Sequence, residues 1–126
     1  MIYLTVADVI AIHDELVRRY TGSFGIRSQK LLESAVFRIQ ASFGGELLYK
    51  NIFEQSAAIL ESLIKNHPFI DGNKRTAFVS AVTFLELNGY KTKFDAARTE
   101  KFILDIVAKK KTFAQIANFL KKNSEK

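Results

Sequence analysis

Nine consecutive residues, His67-Pro68-Phe69-Ile70-Asp71-Gly72-Asn73-Lys74-Arg75, concentrate the chemical capability of this chain. Pro68 pushes His67 out of the α region, so the stretch leaves one helix, and Asn73 opens the next. Backbone N–H groups at a helix start are unpaired and carry the positive end of the helix dipole. With Gly72 letting the backbone approach a ligand, they form an anion site. Asn73, Lys74 and Arg75 add side-chain donors and two positive charges, so the expected anion is a phosphate, or several linked ones. Asp71 brings a carboxylate suited to holding Mg²⁺ against phosphate oxygens. His67 is the one side chain there able to exchange a proton near neutral pH. A plain structural reading makes His67 a helix C-cap, Asp71 an N-cap, and Lys74 and Arg75 ordinary first-turn residues. Basic residues in a first turn oppose the dipole, which capping alone does not explain. Residue chemistry leaves both readings open.

The elements that must position this loop read as helical throughout. Thr5 is placed to cap a helix running to about Tyr20, with Val6, Val9, Ile10, His13, Leu16 and Val17 on one stripe. TGSFGI breaks it, and Ser28 starts a second helix carrying Leu31, Leu32, Ala35, Val36 and Ile39. Residues 41–50 contain the Gly44-Gly45 pair, which predicts a flexible loop or short hairpin. A third helix spans about Ile52 to Lys65 and precedes the nine-residue stretch. The helix begun by Asn73 carries Ala77, Phe78, Val79, Ala81, Val82, Phe84 and Leu85 all round its surface, as a buried central helix would, and ends at Asn88-Gly89. Residues 90–94 form an extended connector. A helix follows over about 97–110, and Thr112 with Gln115 makes a capping box for the last one. The expected fold is all-α: one domain over 1–126, a compact helical bundle around a buried central helix with a short flap loop.

Composition narrows the classes. At 126 residues, with 48% hydrophobic and 25% charged residues, the chain matches ordinary globular usage, which excludes disordered and fibrous classes. It has no cysteine, hence no disulfide, thiolate zinc site or thiol nucleophile. The N-terminus has no basic region of signal type, and no apolar run reaches ~18 residues, so the expectation is a cytoplasmic protein without membrane contact. The net charge of +6 resides mainly in the lysines from 101 onward. That pattern suits a solvated helix end better than an aromatic-studded nucleic-acid face, so direct nucleic-acid binding is not expected.

HPFIDGNKR resembles the Fic/Doc motif, H-x-F-x-D/E-G/A-N-x-R. The likeness extends through YLTVADVIAIHDELVRRY, GIRSQKLLESAVFRIQ and the Gly-Gly loop to nearly the whole chain, and is nearest the Doc toxins of toxin–antitoxin pairs. The resemblance implies His67 as general base toward a target hydroxyl and Asp71 as the Mg²⁺-binding acid. It implies Gly72 and Asn73 as the anion hole, Arg75 as ligand to a further phosphate, and Phe69 as a buried anchor. Gly44 and Gly45 match a flap that docks the target. By the same resemblance the cofactors are ATP and Mg²⁺. The partners are an antitoxin whose disordered tail folds onto the toxin and a target protein, a translation elongation factor.

Most Fic enzymes carry Gly where this chain has Lys74, and a second Arg where it has Phe78. Lys74 is expected to fill the route that a diphosphate takes along the helix start. These departures favour Doc-type transfer of the terminal phosphate of ATP, with the rest of the nucleotide leaving in the opposite direction. AMP transfer is the runner-up, ahead of a non-catalytic binding module. The inhibitory motif of many Fic proteins has no full match; Ser42-Phe43-Gly44-Gly45-Glu46 comes nearest. Lys65 is read as a phosphate ligand or a helix end, His13 as a hydrogen-bonded core residue, and the Arg18-Arg19 pair as dipole partners or nucleotide ligands.

Overall fold

The computed structural model describes residues 1–126. Helix α1, Val6–Tyr20, starts with a capping box: the Thr5 hydroxyl accepts from the Asp8 N–H, and the Asp8 carboxylate from the Thr5 N–H. Ser28 caps α2, Gln29–Phe37, which tightens into a 3₁₀ turn at Arg38–Gln40. Ile39, expected within that helix, lies in the turn and is still buried. Strands β1, Ser42–Phe43, and β2, Glu46–Leu47, form the expected hairpin across Gly44-Gly45, with Ser42 opposite Leu47 and Phe43 opposite Glu46. Both glycines take positive φ, +62° and +84°, as a tight turn demands.

Asn51 caps α3, Ile52–Asn66, and α4 spans Asn73–Leu87. The sequence points to α4 as the central helix, yet α3 is the more deeply buried, with every residue from Gln55 to Ile64 inside. It packs against α4, α2 and α6. The apolar residues all round α4 have another cause: Ala77, Ala81, Phe84 and Leu85 face the core, whereas Phe78 and Val79 line a cavity.

Strand β3, Lys91–Thr92, is followed by α5, Ala96–Val107, which Asp95 caps. This helix stops three residues short of the expected end. Lys109 takes a left-handed φ of +61°, and the Lys110 N–H closes back on the Asp105 carbonyl at 2.8 Å. No glycine marks that stop. Helix α6, Phe113–Lys122, begins with the Thr112–Gln115 capping box. The chain then returns as β4, Ser124–Glu125, antiparallel to β3. One cluster of 20 buried residues runs from Leu4 to Leu120, so α5 and α6 share the core of the helices that carry the loop. No helix is long and apolar enough to cross a membrane.

Candidate functional site

The loop between α3 and α4 is held from behind through its carbonyls. Arg27 donates from Nε to the His67 carbonyl and from Nη2 to the Asn66 carbonyl, both at 2.7 Å. The Pro68 carbonyl accepts from the N–H groups of Arg27 and Ser28 at 2.7 and 3.0 Å. The Asn73 side chain donates to the Phe69 carbonyl and accepts from the Phe69 N–H, both at 2.9 Å. The Ile70 N–H pairs with the Gly25 carbonyl. Segment 21–28, a helix break in the sequence, is therefore the brace of the loop. Gly25 suits that place because its φ of +126° is one that side-chain-bearing residues rarely adopt.

His13 completes the brace. It is 1% exposed, and its ring stacks on Phe69 with centroids 3.9 Å apart and planes 6° from parallel. Its Nε2 lies 2.8 Å from the Asp71 carbonyl, which can only accept, so that nitrogen carries the proton. It is the hydrogen-bonded core histidine that was expected, mounted directly under the loop. The Asp71 carboxylate is steadied on both oxygens: Oδ1 accepts from the Gly72 N–H at 2.9 Å and Oδ2 from the Ser23 N–H at 3.2 Å.

Five of the six helices start with a side-chain cap, and α4 does not. Its N-cap is Gly72, in the left-handed region at φ +77°. The Thr76 N–H pairs with the Gly72 carbonyl, but those of Asn73, Lys74 and Arg75 find no acceptor in the protein. The loop thus spends its carbonyls on the brace and leaves three donors at the start of a helix, the arrangement that attracts an anion. These donors open on a cavity of about 840 Å³ that His67, Asp71, Gly72, Lys74 and Arg75 line together. The Arg75 guanidinium lies over the Tyr20 ring, 4.5 Å from its centroid, which holds it at the rim.

Of the residues singled out in the sequence, His67, Asp71, Gly72, Asn73, Lys74 and Arg75 meet at this cavity. His67 is the left-handed C-cap of α3, at φ +48°, so the structural reading of its backbone holds while its side chain is left free for chemistry. Asp71 is not the N-cap. Asn73 has its amide engaged with Phe69, leaving its backbone N–H for an anion. Lys65 lies outside the cavity, 3.6 Å from Glu61. Gly44 and Gly45 also lie outside its lining. Arg18 and Arg19 both pair with Glu15 and do not reach the site. Contrary to the expectation that Lys74 fills the route along α4, the cavity continues past it to Phe78, Phe94 and Leu104. Arg27, Ser23, Gly25 and His13 act on the loop from a distance in sequence that no local motif signals.

The Fic/DOC family model matches residues 3–85, which contain both the loop and its brace. The chain belongs to the Fic/DOC family. Two Fic/DOC proteins are similar to it over most of their length. One, from Mycolicibacterium smegmatis (strain ATCC 700084 / mc(2)155), is named Toxin Doc and is 38% identical over 92 residues, 71% of each chain. The other, from Escherichia phage P1, is named Protein kinase doc and is 37% identical over 89 residues, 71% of this chain and 70% of the other. Within the Fic/DOC family the chain stands with the Doc branch. Helix α5, which lines the far part of the cavity, lies beyond the matched residues.

Proposed function

We propose that this chain is a Doc-type toxin that moves the terminal phosphate of ATP to a hydroxyl of a target protein, and that an antitoxin holds it in check. The uncapped start of α4, opening into the same cavity as His67 and Asp71, carries this reading. The names of the two relatives, one a toxin and one a protein kinase, support it.

The attacked phosphorus would sit against the N–H groups of residues 73–75, where negative charge developing in the transition state meets oriented donors. The His67 imidazole takes the proton of the target hydroxyl, whose oxygen bonds to the terminal phosphorus. The bond to the oxygen bridging the β- and γ-phosphates breaks, and ADP leaves with that electron pair. Arg75, held by Tyr20, meets a second phosphate. Each Asp71 oxygen accepts a single N–H in the protein and keeps capacity for a cation. No cluster of three metal-ligating side chains exists, so Asp71 would hold Mg²⁺ jointly with phosphate oxygens and water. Bound there, the cation would neutralise charge on the transferring phosphates.

Transfer of the terminal phosphate and transfer of AMP both leave two further phosphates beyond the attacked one. Past Lys74 the cavity turns to Phe78, Phe94 and Leu104, with Glu100 beside them, and supplies no further cation. The relative named Protein kinase doc favours the terminal phosphate. Exposed apolar side chains around the loop and at the flap, Phe24, Ile70 and Phe43 among them, suit a protein substrate; the Doc resemblance makes it an elongation factor in the cytoplasm. The test is incubation with a bacterial lysate, Mg²⁺ and either γ-³²P-ATP or α-³²P-ATP. Label from the γ position alone is expected, and His67→Ala should abolish it. Label from the α position would establish AMP transfer instead.

A further inference from the structure

The β1–β2 hairpin stands out from the fold almost unsupported. Its strand residues are all exposed, Phe43 at 83%, and a Cβ at either turn glycine would meet nothing within 4 Å. A two-stranded hairpin this short does not hold itself in place in water. Its footing lies just below. The Leu48 N–H closes on the Ala41 carbonyl at 2.8 Å, and Tyr49 then turns back onto the body of the protein. The Tyr49 carbonyl accepts from Gln55 Nε2 at 3.1 Å, and its hydroxyl accepts from Arg38 Nε at 2.8 Å.

Arg38 is itself fixed. Its Nη1 donates to Glu61 Oε1 at 2.9 Å and to Ser62 Oγ at 2.8 Å. The guanidinium lies against the rings of Tyr49 and Phe113, 5.3 and 5.4 Å from their centroids. The Glu61 side chain is only 10% exposed, so it grips a cation more firmly than a surface carboxylate does. Glu61 and Ser62 stand on α3 less than two turns before His67. One side chain thus ties the hairpin to the helix that ends at the candidate base. We propose that Arg38 is a positioning residue for the protein substrate. Through the Tyr49 hydroxyl it sets where the hairpin stands relative to His67, and with it the backbone of the target, while itself lying outside the cavity. The inference rests on the reading of the hairpin as the flap that docks the target, and names the residue that aims it.

Two variants cut the link. Tyr49→Phe removes the hydroxyl and keeps the ring; Arg38→Lys keeps a cation for Glu61 without the fork that reaches Tyr49 as well. Phosphotransfer from γ-³²P-ATP with Mg²⁺ is measured while the concentration of a bacterial lysate is varied. Each variant is expected to need about three- to tenfold more lysate for half-maximal labelling, the worth of one hydrogen bond. The maximal rate and the KM for ATP should stay within about twofold of wild type, as for lost docking alone. Simple destabilisation would instead shrink the active fraction and lower the maximal rate at unchanged half-saturation; that result, or no change at all, would overturn the proposal. Gly45→Pro cannot take a φ of +84° and breaks the turn. If it leaves half-saturation unchanged, the flap reading fails and this inference with it; if it alone raises half-saturation, only the role of Arg38 falls. A second readout needs no target. The chain has no cysteine, so a nitroxide on Phe43→Cys reports the hairpin alone, and its spectrum should sharpen with either variant. An unchanged spectrum in both would overturn the proposal, even if wild type labelled nothing in the lysate. Thermal melts check the fold, and either variant retaining the wild-type melt suffices.

Discussion

His67 and His13 divide between them what a histidine can do in this loop, and substituting each should fail differently. His67 is exposed at the cavity, and its backbone, not its ring, is used by the fold. His67→Ala should therefore leave the melting temperature within a few degrees of wild type. A general base contributes roughly 10²–10⁴-fold to rate, so phosphotransfer should fall by at least that factor; a folded, fully active variant would remove His67 from the mechanism. His13 touches no substrate. His13→Leu removes the part-buried hydrogen bond to the Asp71 carbonyl, at a cost of about 1 kcal/mol. It should lower both denaturant stability and kcat, whereas the KM for nucleotide moves little. His13→Gln, which can carry a donor toward the same carbonyl, should restore part of kcat. Asp71→Ala should abolish Mg²⁺-dependent turnover, since no second carboxylate stands in the loop; turnover insensitive to that change across a Mg²⁺ titration would reduce Asp71 to a structural group.

On the scale of elements, the link between α1 and α2 behaves as part of the active loop, though 40 residues separate it from His67 in sequence. Arg27→Ala removes two charge-assisted bonds from the C-terminal end of α3, each worth about 1.5–3 kcal/mol. Arg27→Lys keeps the charge but not the planar fork that reaches two carbonyls at once. Both variants are expected to lose stability in urea titration, and lysine should recover well under half the loss. Gly25→Ala forces a φ of +126° on a residue with a side chain, and the strain should cost about 1–3 kcal/mol and loosen the loop. Gly44→Ala, which meets nothing within 4 Å and sits at φ +62°, should cost only about 1–2 kcal/mol. Three helix starts were legible because their caps are side chains, Thr5, Ser28 and Thr112; the caps at Asn51 and Asp95 emerge only in the structure. The nine-residue loop itself was legible through its spacing. The brace was not, because the carbonyl partners of Arg27 and His13 are chosen by tertiary contact and leave no periodicity. The true end of α5 escaped for a similar reason: Lys109 adopts a conformation usually left to glycine.

Taken whole, the molecule ties a recognisable loop to helices that the Fic/DOC match does not reach. Ile116 and Leu120 of α6 are fully buried in the same cluster as the α3 residues. Replacing either by alanine should cost about 2–5 kcal/mol, and unfolding should remain one cooperative transition by circular dichroism and fluorescence together. A chain ending at residue 95 should not fold, because the inner face of α3 would lose its cover; a stable, cooperative fragment would make α5 and α6 an appendage.

The anion-binding character proposed for the loop rests on its main chain. Tied carbonyls behind and three free N–H groups in front survive any exchange of side chains at 74 and 75 short of proline. Drift in Lys74 and Arg75 would then weaken the catalyst by degrees without silencing it. Mutants recovered in a selection for survival under expression of this chain should accordingly cluster elsewhere: at His67, at Asp71, and at Gly25 and Arg27 in the brace. A toxin built this way is hard to disarm by accident and easy to disarm at a few defined places.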